Sequence, residues 1–132
     1  MHDVGRVVGS HNHEEIGGNI AFNVLKYNEF ADHECKKCKQ IISEHAWLTT
    51  PTSLEAMILK DSDKLGYIGL NRWKECDKHN FSSNGLISRL NILRDNLILD
   101  ESKEIFDEEF PKFKKFLSNS KNFRNLLGQL HD

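Results

Sequence analysis

Asn12-His13-Glu14-Glu15-Ile16-Gly17-Gly18-Asn19-Ile20-Ala21-Phe22-Asn23-Val24-Leu25-Lys26-Tyr27-Asn28 reads as a helix. Ile16, Ile20, Ala21, Val24 and Leu25 form an apolar stripe at helical spacing. Glu14 and Glu15 fall in the first turn, where the helix dipole favours carboxylates. Gly17-Gly18 works against this helix, since each glycine costs about 1 kcal/mol relative to alanine. Close approach of another backbone accounts for the pair better than helix design does.

Working outward, residues 2–8 read as the end of a helix stopped near Gly9-Ser10. A third helix is predicted over about 30–46, with Cys38, Ile41, Ile42 and His45 on one side. Thr49-Thr50-Pro51-Thr52 breaks it, and Thr52 or Ser53 caps the next helix. That helix carries Leu54, Met57, Ile58 and Leu59 into Asp61-Ser62-Asp63, and Gly66 and Gly69 allow a bend before Asn71-Arg72-Trp73. Residues 78–84 read as a polar loop. Leu86, Leu90, Leu93 and Leu97 mark a helix over about 85–98. Ile105, Phe106, Phe110, Phe113 and Phe116 or Leu117 mark another over 101–118, and the phenylalanine spacing is that of core packing. The tail 119–132 reads as a short, fraying helix. With only two prolines, Pro51 and Pro111, and no sustained strand-like alternation, the chain reads as all-α.

The 132 residues are 38% hydrophobic and 29% charged, which suits one soluble globular domain. A net charge of −2 offers no basic field for a nucleic-acid polymer, though a few local cations suffice for a small phosphate. No apolar run reaches the roughly 18–20 residues that span a bilayer, and the first residues lack the apolar stretch of a secretory signal. Three cysteines, an odd number, argue against a disulfide framework, so a reducing cytoplasm is expected. Cys35-Lys36-Lys37-Cys38, with His33 before it and Cys76 after it, suits a helix face as well as zinc.

Seven histidines stand in the chain, with His2, His11, His13 and His33 in its first quarter. His2-Asp3, His11, His13, His45 and Asp61-Ser62-Asp63 together offer imidazole nitrogens and carboxylate oxygens, a donor set that suits divalent transition metals. Each has a plainer reading: a solvated terminus for His2-Asp3, a helix start in solvent for His13, a hydrogen-bonded core histidine for His45. His131-Asp132 shows how readily such a dipeptide arises by chance. Asp61 and Asp63 lie about 200° apart on a helix, so at most one faces a common site. Asp61 continues the Leu54-Ile58-Leu65 stripe, so periodicity leaves the choice open.

The order of these features carries a resemblance. His2-Asp3-Val4-Gly5-Arg6 precedes Asn12 through Gly18, then Ile41-Ile42-Ser43-Glu44-His45, then Ile58 through Gly66; Phe81 through Leu97 and Glu101 through Phe110 follow. The set resembles the HD-domain superfamily of metal-dependent phosphohydrolases, in particular a small bacterial stand-alone group. That resemblance implies a single HD-type domain over 1–132, an HD-domain-like helical bundle with metal-site helices in 1–78 and further helices in 79–132 packing on them. By resemblance His2, Asp3 and Asp63 are the metal ligands, with Ser62 where alanine is usual before the last. His13 and His45 match histidines that hold a second metal or a phosphate, and Arg6 and Lys64 match cations near the site. Arg6 lies one helical turn from His2, which suits a phosphate contact.

The implied activity is hydrolysis of a small phosphate ester, such as a nucleotide or related metabolite, with a divalent ion (Mn, Fe, Co, Ni, Zn or Mg) activating water. Nitrogen-plus-carboxylate ligation mildly disfavours magnesium and calcium as sole occupants. The expected partner is a small phosphorylated substrate, not a nucleic-acid polymer or a membrane. The superfamily's first histidine lies on a helix ahead of the doublet, and this sequence opens one residue before His2; His11 could substitute, though nothing in its spacing demands it. Two alternatives follow: a fragment of a longer hydrolase, or a binding or structural module that keeps the fold without the chemistry. An apolar groove in place of that helix favours a homodimer.

Overall fold

The computed structural model describes residues 2–8, 11–79 and 86–130. The chain is all-α, and every regular element among the described residues is helical. Six α-helices are seen there: α1 (His13–Tyr27), α2 (Asp32–Ser43), α3 (Leu54–Leu65), α4 (Leu70–His79), α5 (Leu86–Asn91) and α6 (Asp100–Asn119). Short 3-10 turns cover Val4–Val7, Gly66–Ile68, Arg94–Asn96 and Arg124–Gln129. The expected stop at Gly9-Ser10, the loop residues 80–84 with Phe81, and His131-Asp132 lie outside the described residues. So does the side chain of Cys76. No helix among the described residues is long and apolar enough to cross a membrane. The chain divides into two compact units, Met1–Lys60 and Asp61–Asp132, with the boundary inside α3.

In the first unit, α1 packs on α2 and on the Val4–Val7 turn through its small residues. The buried face of α1 is His13, Gly17, Gly18 and Ala21, not the whole predicted stripe, and Val24 is exposed. A Cβ on Gly17 would stand 2.8 Å from the His2 carbonyl oxygen. One on Gly18 would stand 2.9 Å from the Lys39 carbonyl oxygen of α2. The glycine pair is therefore the place where two other backbones touch α1. Gly5 repeats the device from the other side, since a Cβ there would fall 2.0 Å from the His13 carbonyl oxygen.

The ends of α1 are set by unusual backbone. Asn12 begins it from the left-handed region at φ 55°. At its C-terminus Phe30 N–H bonds to Leu25 O and Glu29 N–H to Lys26 O, both at 3.1 Å. This is a Schellman closure, and Glu29 occupies its left-handed position at φ 63° where glycine is usual.

The predicted third helix is shorter than its apolar pattern, starting later and stopping earlier. Glu34 accepts from the Ala31 N–H at 3.1 Å to open α2, and the helix ends at Ser43. His45 thus sits in a turn. Two side chains fix that turn. Glu44 accepts from the Thr52 N–H and hydroxyl, both at 2.8 Å, and Lys60 donates to the carbonyls of Ala46 and Thr49. Ser53 caps α3 as expected, accepting from the Ala56 N–H at 3.2 Å.

On α3 the apolar residues mostly lose to the charged ones. Leu54 and Ile58 are exposed, whereas Ala56, Lys60, Asp61 and Lys64 are buried. In the second unit, Asp61 accepts from the N–H groups of Ile98 and Leu99 (2.8 Å for Leu99), ordering the chain just ahead of α6. Lys64 donates to the Asn96 carbonyl. The core of this unit contains Trp73, Leu90, Leu93, Leu97, Phe106, Phe113, Leu117 and Phe123. Trp73 has its ring centroid 5.1 Å from those of both Phe113 and Phe123, and its indole N–H donates to Tyr67 O at 2.6 Å. The predicted helix over 85–98 is split into α5 and the Arg94–Asn96 turn, yet its leucines at 90, 93 and 97 are buried as their spacing predicts.

Candidate metal centre

Four of the sequence-predicted residues converge within the first unit. His2 and Asp3 precede the Val4–Val7 turn, His13 is the first residue of α1, and His45 follows α2. The contacts of Gly5 and Gly17 with neighbouring backbone press the opening segment onto the start of α1. The Glu44 and Lys60 contacts hold the His45 turn beside them.

Asp3 is the hub. Its Oδ1 lies 3.4 Å from His13 Nε2 and 4.0 Å from His45 Nε2, and its Oδ2 lies 3.5 Å from His2 Nε2. The His2 and His45 rings stand 5.2 Å apart at 86°, and the His13 and His45 rings 5.6 Å apart at 78°. The histidine side chains are unequally exposed, 32% for His2 against 9% for His13 and 3% for His45, so the cluster opens to solvent on the His2 side. Two groups of ligand atoms, His2/Asp3/His45 and His13/Glu14/His45, each lie within 4.8 Å of one another.

Burial pulls the Asp3 carboxyl upward, but the Arg6 hydrogen bond and charge, with His2 and His13, pull it further down. It is held below the ordinary carboxylate range and stays ionised. Arg6 Nε donates to Asp3 Oδ1 at 2.7 Å. His45 Nδ1 donates to the Ile42 carbonyl, which leaves the lone pair of the neutral ring on Nε2, facing Asp3.

Donor atoms bound to one ion at about 2.1 Å stand about 3.4 Å apart when tetrahedral and at most about 4.2 Å apart when opposite. The separations of 3.4, 3.5 and 4.0 Å around Asp3 fall in this range. The donor types suit a divalent transition metal, and His2/Asp3/His45 and His13/Glu14/His45 are the groups that could hold one; among the described residues no such group joins Asp3 to His13.

The other predicted residues enter neither ligand group. Asp63, half-buried, and Lys64, buried, belong to the second unit. Asp61 is committed to the backbone N–H groups ahead of α6, a role its sequence setting does not announce. His11 is exposed and enters neither ligand group. Cys35 is buried with its thiol toward the Phe30 carbonyl at 3.6 Å, Cys38 is half-buried, and neither joins a ligand group among the described residues.

Three features went unassigned in the sequence. Glu14 Oε2 lies 3.2 Å from His13 Nδ1. The Ile42 carbonyl orients His45. Gly5 lets the opening segment reach α1. Only Glu14 left a trace, as the residue next to a candidate ligand. Comparison with family models, curated proteins and solved structures gives no match.

Proposed function

We propose that the chain is a metal-dependent hydrolase of small phosphate esters with its centre at His2, Asp3, His13 and His45. The observation that carries this reading is the convergence of three imidazoles on one ionised carboxylate, from residues up to 43 positions apart in sequence, each ring nitrogen within 3.4–4.0 Å of an Asp3 oxygen. The order of the same residues along the chain, with its HD-superfamily likeness, supplies the reaction class. A divalent ion bound there supplies Lewis-acid activation of water and charge neutralisation at a phosphoryl oxygen.

The chain's own groups do the rest. Asp3 and the histidines hold the ion. Arg6, anchored on Asp3 and half exposed at the open side, places a positive charge where a phosphate dianion enters. The buried side of the cluster, at His13 and His45, limits water to the His2 side.

The test is to assay the full chain, stripped and reloaded with Mn, Co, Ni or Zn, against a panel of phosphomonoesters and phosphodiesters. Asp3→Asn is expected to lower kcat at least 10²-fold, and Arg6→Ala is expected to raise KM more than it lowers kcat. Metal-independent turnover, or turnover untouched by Asp3→Asn, overturns the reading.

A further inference from the structure

Two helical faces of the second unit leave a cavity of about 350 Å³ between them. One wall is α5 with the turn after it, carrying Leu90, Arg94 and Asp95. The other is α6, carrying Phe106, Asp107 and Phe110. We infer that this cavity binds a small primary ammonium ligand with an aromatic body, through the Asp95 carboxylate on its exposed side and the two phenylalanine rings. Every lining residue belongs to Asp61–Asp132, so the site stands or falls apart from the metal centre.

The lining sorts by depth. Leu90 and Phe106 are buried and Phe110 is half-buried, so the deep part is apolar. The Phe106 and Phe110 rings stack, with centroids 4.7 Å apart at 22°. Apolar walls with a few polar groups at the edge are the usual make-up of a small-molecule site, and this volume is at the small end of such sites, enough for one ring. The polar groups decide the charge. Arg94 Nε and Nη2 donate to the two Asp107 oxygens at 2.6 and 2.7 Å. This fork ties the turn to α6, and each partner neutralises the other. The lining amide of Asn91 is also engaged, donating to Gln129 O at 2.8 Å. Asp95 has no hydrogen bond among the described residues and feels Arg94 only through its charge. The lining thus holds one cation and two carboxylates, and the group left over is negative. An anion would meet two carboxylates and an arginine already committed. An ammonium meets an open carboxylate, and phenylalanine faces attract it besides. Lys114, with Nζ 5.3 Å from the Phe110 centroid, lies outside the lining.

The experiment titrates the full-length chain, in chelator at neutral pH, with phenethylammonium, followed by amide NMR shifts and calorimetry. Neutral phenethyl alcohol and anionic phenylpropionate, of similar size, are the controls. The amine is expected to bind saturably and roughly 10-fold or more tightly than either control, as a charge-assisted hydrogen bond supplies. The amides that move should lie in α5, the turn after it and α6. Asp95→Asn, an exposed change that leaves the Arg94–Asp107 fork in place, should erase the preference for the amine over the alcohol. Phe110→Leu keeps an apolar side chain and removes the ring, and should weaken the amine roughly 3-fold or more while weakening the alcohol less. Absence of saturable amine binding overturns the site. So does phenylpropionate binding as tightly as the amine, shifts confined to other parts of the chain, or an Asp95→Asn chain that keeps the preference.

Discussion

Both units bury ionisable side chains, and they use them differently. In Asp61–Asp132 the buried charges are taken up by backbone: Asp61 by the N–H groups of Ile98 and Leu99, Lys64 by the Asn96 carbonyl. In Met1–Lys60 the ionisable groups of the cluster face each other, with three imidazole nitrogens directed at one carboxylate. Burial and charge alone therefore do not mark a site. A charge that closes a backbone accounting is architecture, because leaving those N–H groups unmet would cost free energy. Imidazole nitrogens gathered around one carboxylate instead form groups that could hold an ion.

The strongest way to break this contrast is Gly5→Ala. The added methyl meets the His13 carbonyl and the Gly17 N–H, both backbone, so the opening segment must move off α1. A loss of about 3 kcal/mol is expected from such overpacking. Cobalt binding should be lost with it, because His2 and Asp3 move away from His13. Urea unfolding and cobalt titration of the same sample check both. Intact cobalt affinity would show that the opening segment does not build the centre.

Asp61→Ala tests the other half. It strips the acceptor from two backbone N–H groups and should cost about 2–3 kcal/mol in urea unfolding. Cobalt affinity should stay at the parent value. A fall in affinity with unchanged stability would make Asp61 a ligand and not a brace.

Such differences explain what was legible in the sequence. Helical periodicity exposed the all-α class, and the leucines at 90, 93 and 97 are buried where their spacing put them. The Gly17-Gly18 argument pointed to close backbone approach, and that is found. Periodicity failed on α3, where Lys60, Asp61 and Lys64 are buried and Leu54 and Ile58 are not. The reason is that apolar patterning ranks side chains by transfer energy and ignores the unpaired carbonyls and N–H groups that a buried lysine or aspartate can satisfy. At the centre, the identities of His2, Asp3, His13 and His45 were readable as donor types. The contacts of Glu14 with His13 and of the Ile42 carbonyl with His45 were not, because they depend on which ring nitrogen faces which way, and no residue order encodes that.

A gentler test lies at Glu29, whose left-handed backbone at φ 63° strains any residue with a Cβ. Glu29→Gly should stabilise the chain by about 0.5–1 kcal/mol, by relieving the C-terminal closure of α1. Thermal unfolding reads it out. The centre sits at the opposite end of α1, so cobalt affinity should not change. A stabilised chain with altered affinity would mean that the α1 C-terminus and the cluster are coupled through the helix.

The smallest effect is also the most diagnostic of what Asp3 does without metal. Its folded carboxyl is held below its ordinary range, so it binds fewer protons folded than unfolded in the window between the two values. The resulting stability is present above the ordinary carboxylate range and is lost as pH falls through the folded value. Asp3 is 42% exposed, so solvent screening keeps this contribution to a few tenths of a kcal/mol, about what a surface ion pair supplies. In chelator, the melting temperatures of the parent and Asp3→Asn should differ slightly at neutral pH and converge as the pH drops through that window. Added cobalt should widen the gap at neutral pH many times over, since only the parent gains the binding free energy. If the gap is as large in chelator as in cobalt, Asp3 acts as a structural charge like Asp61, and the contrast between the two units disappears.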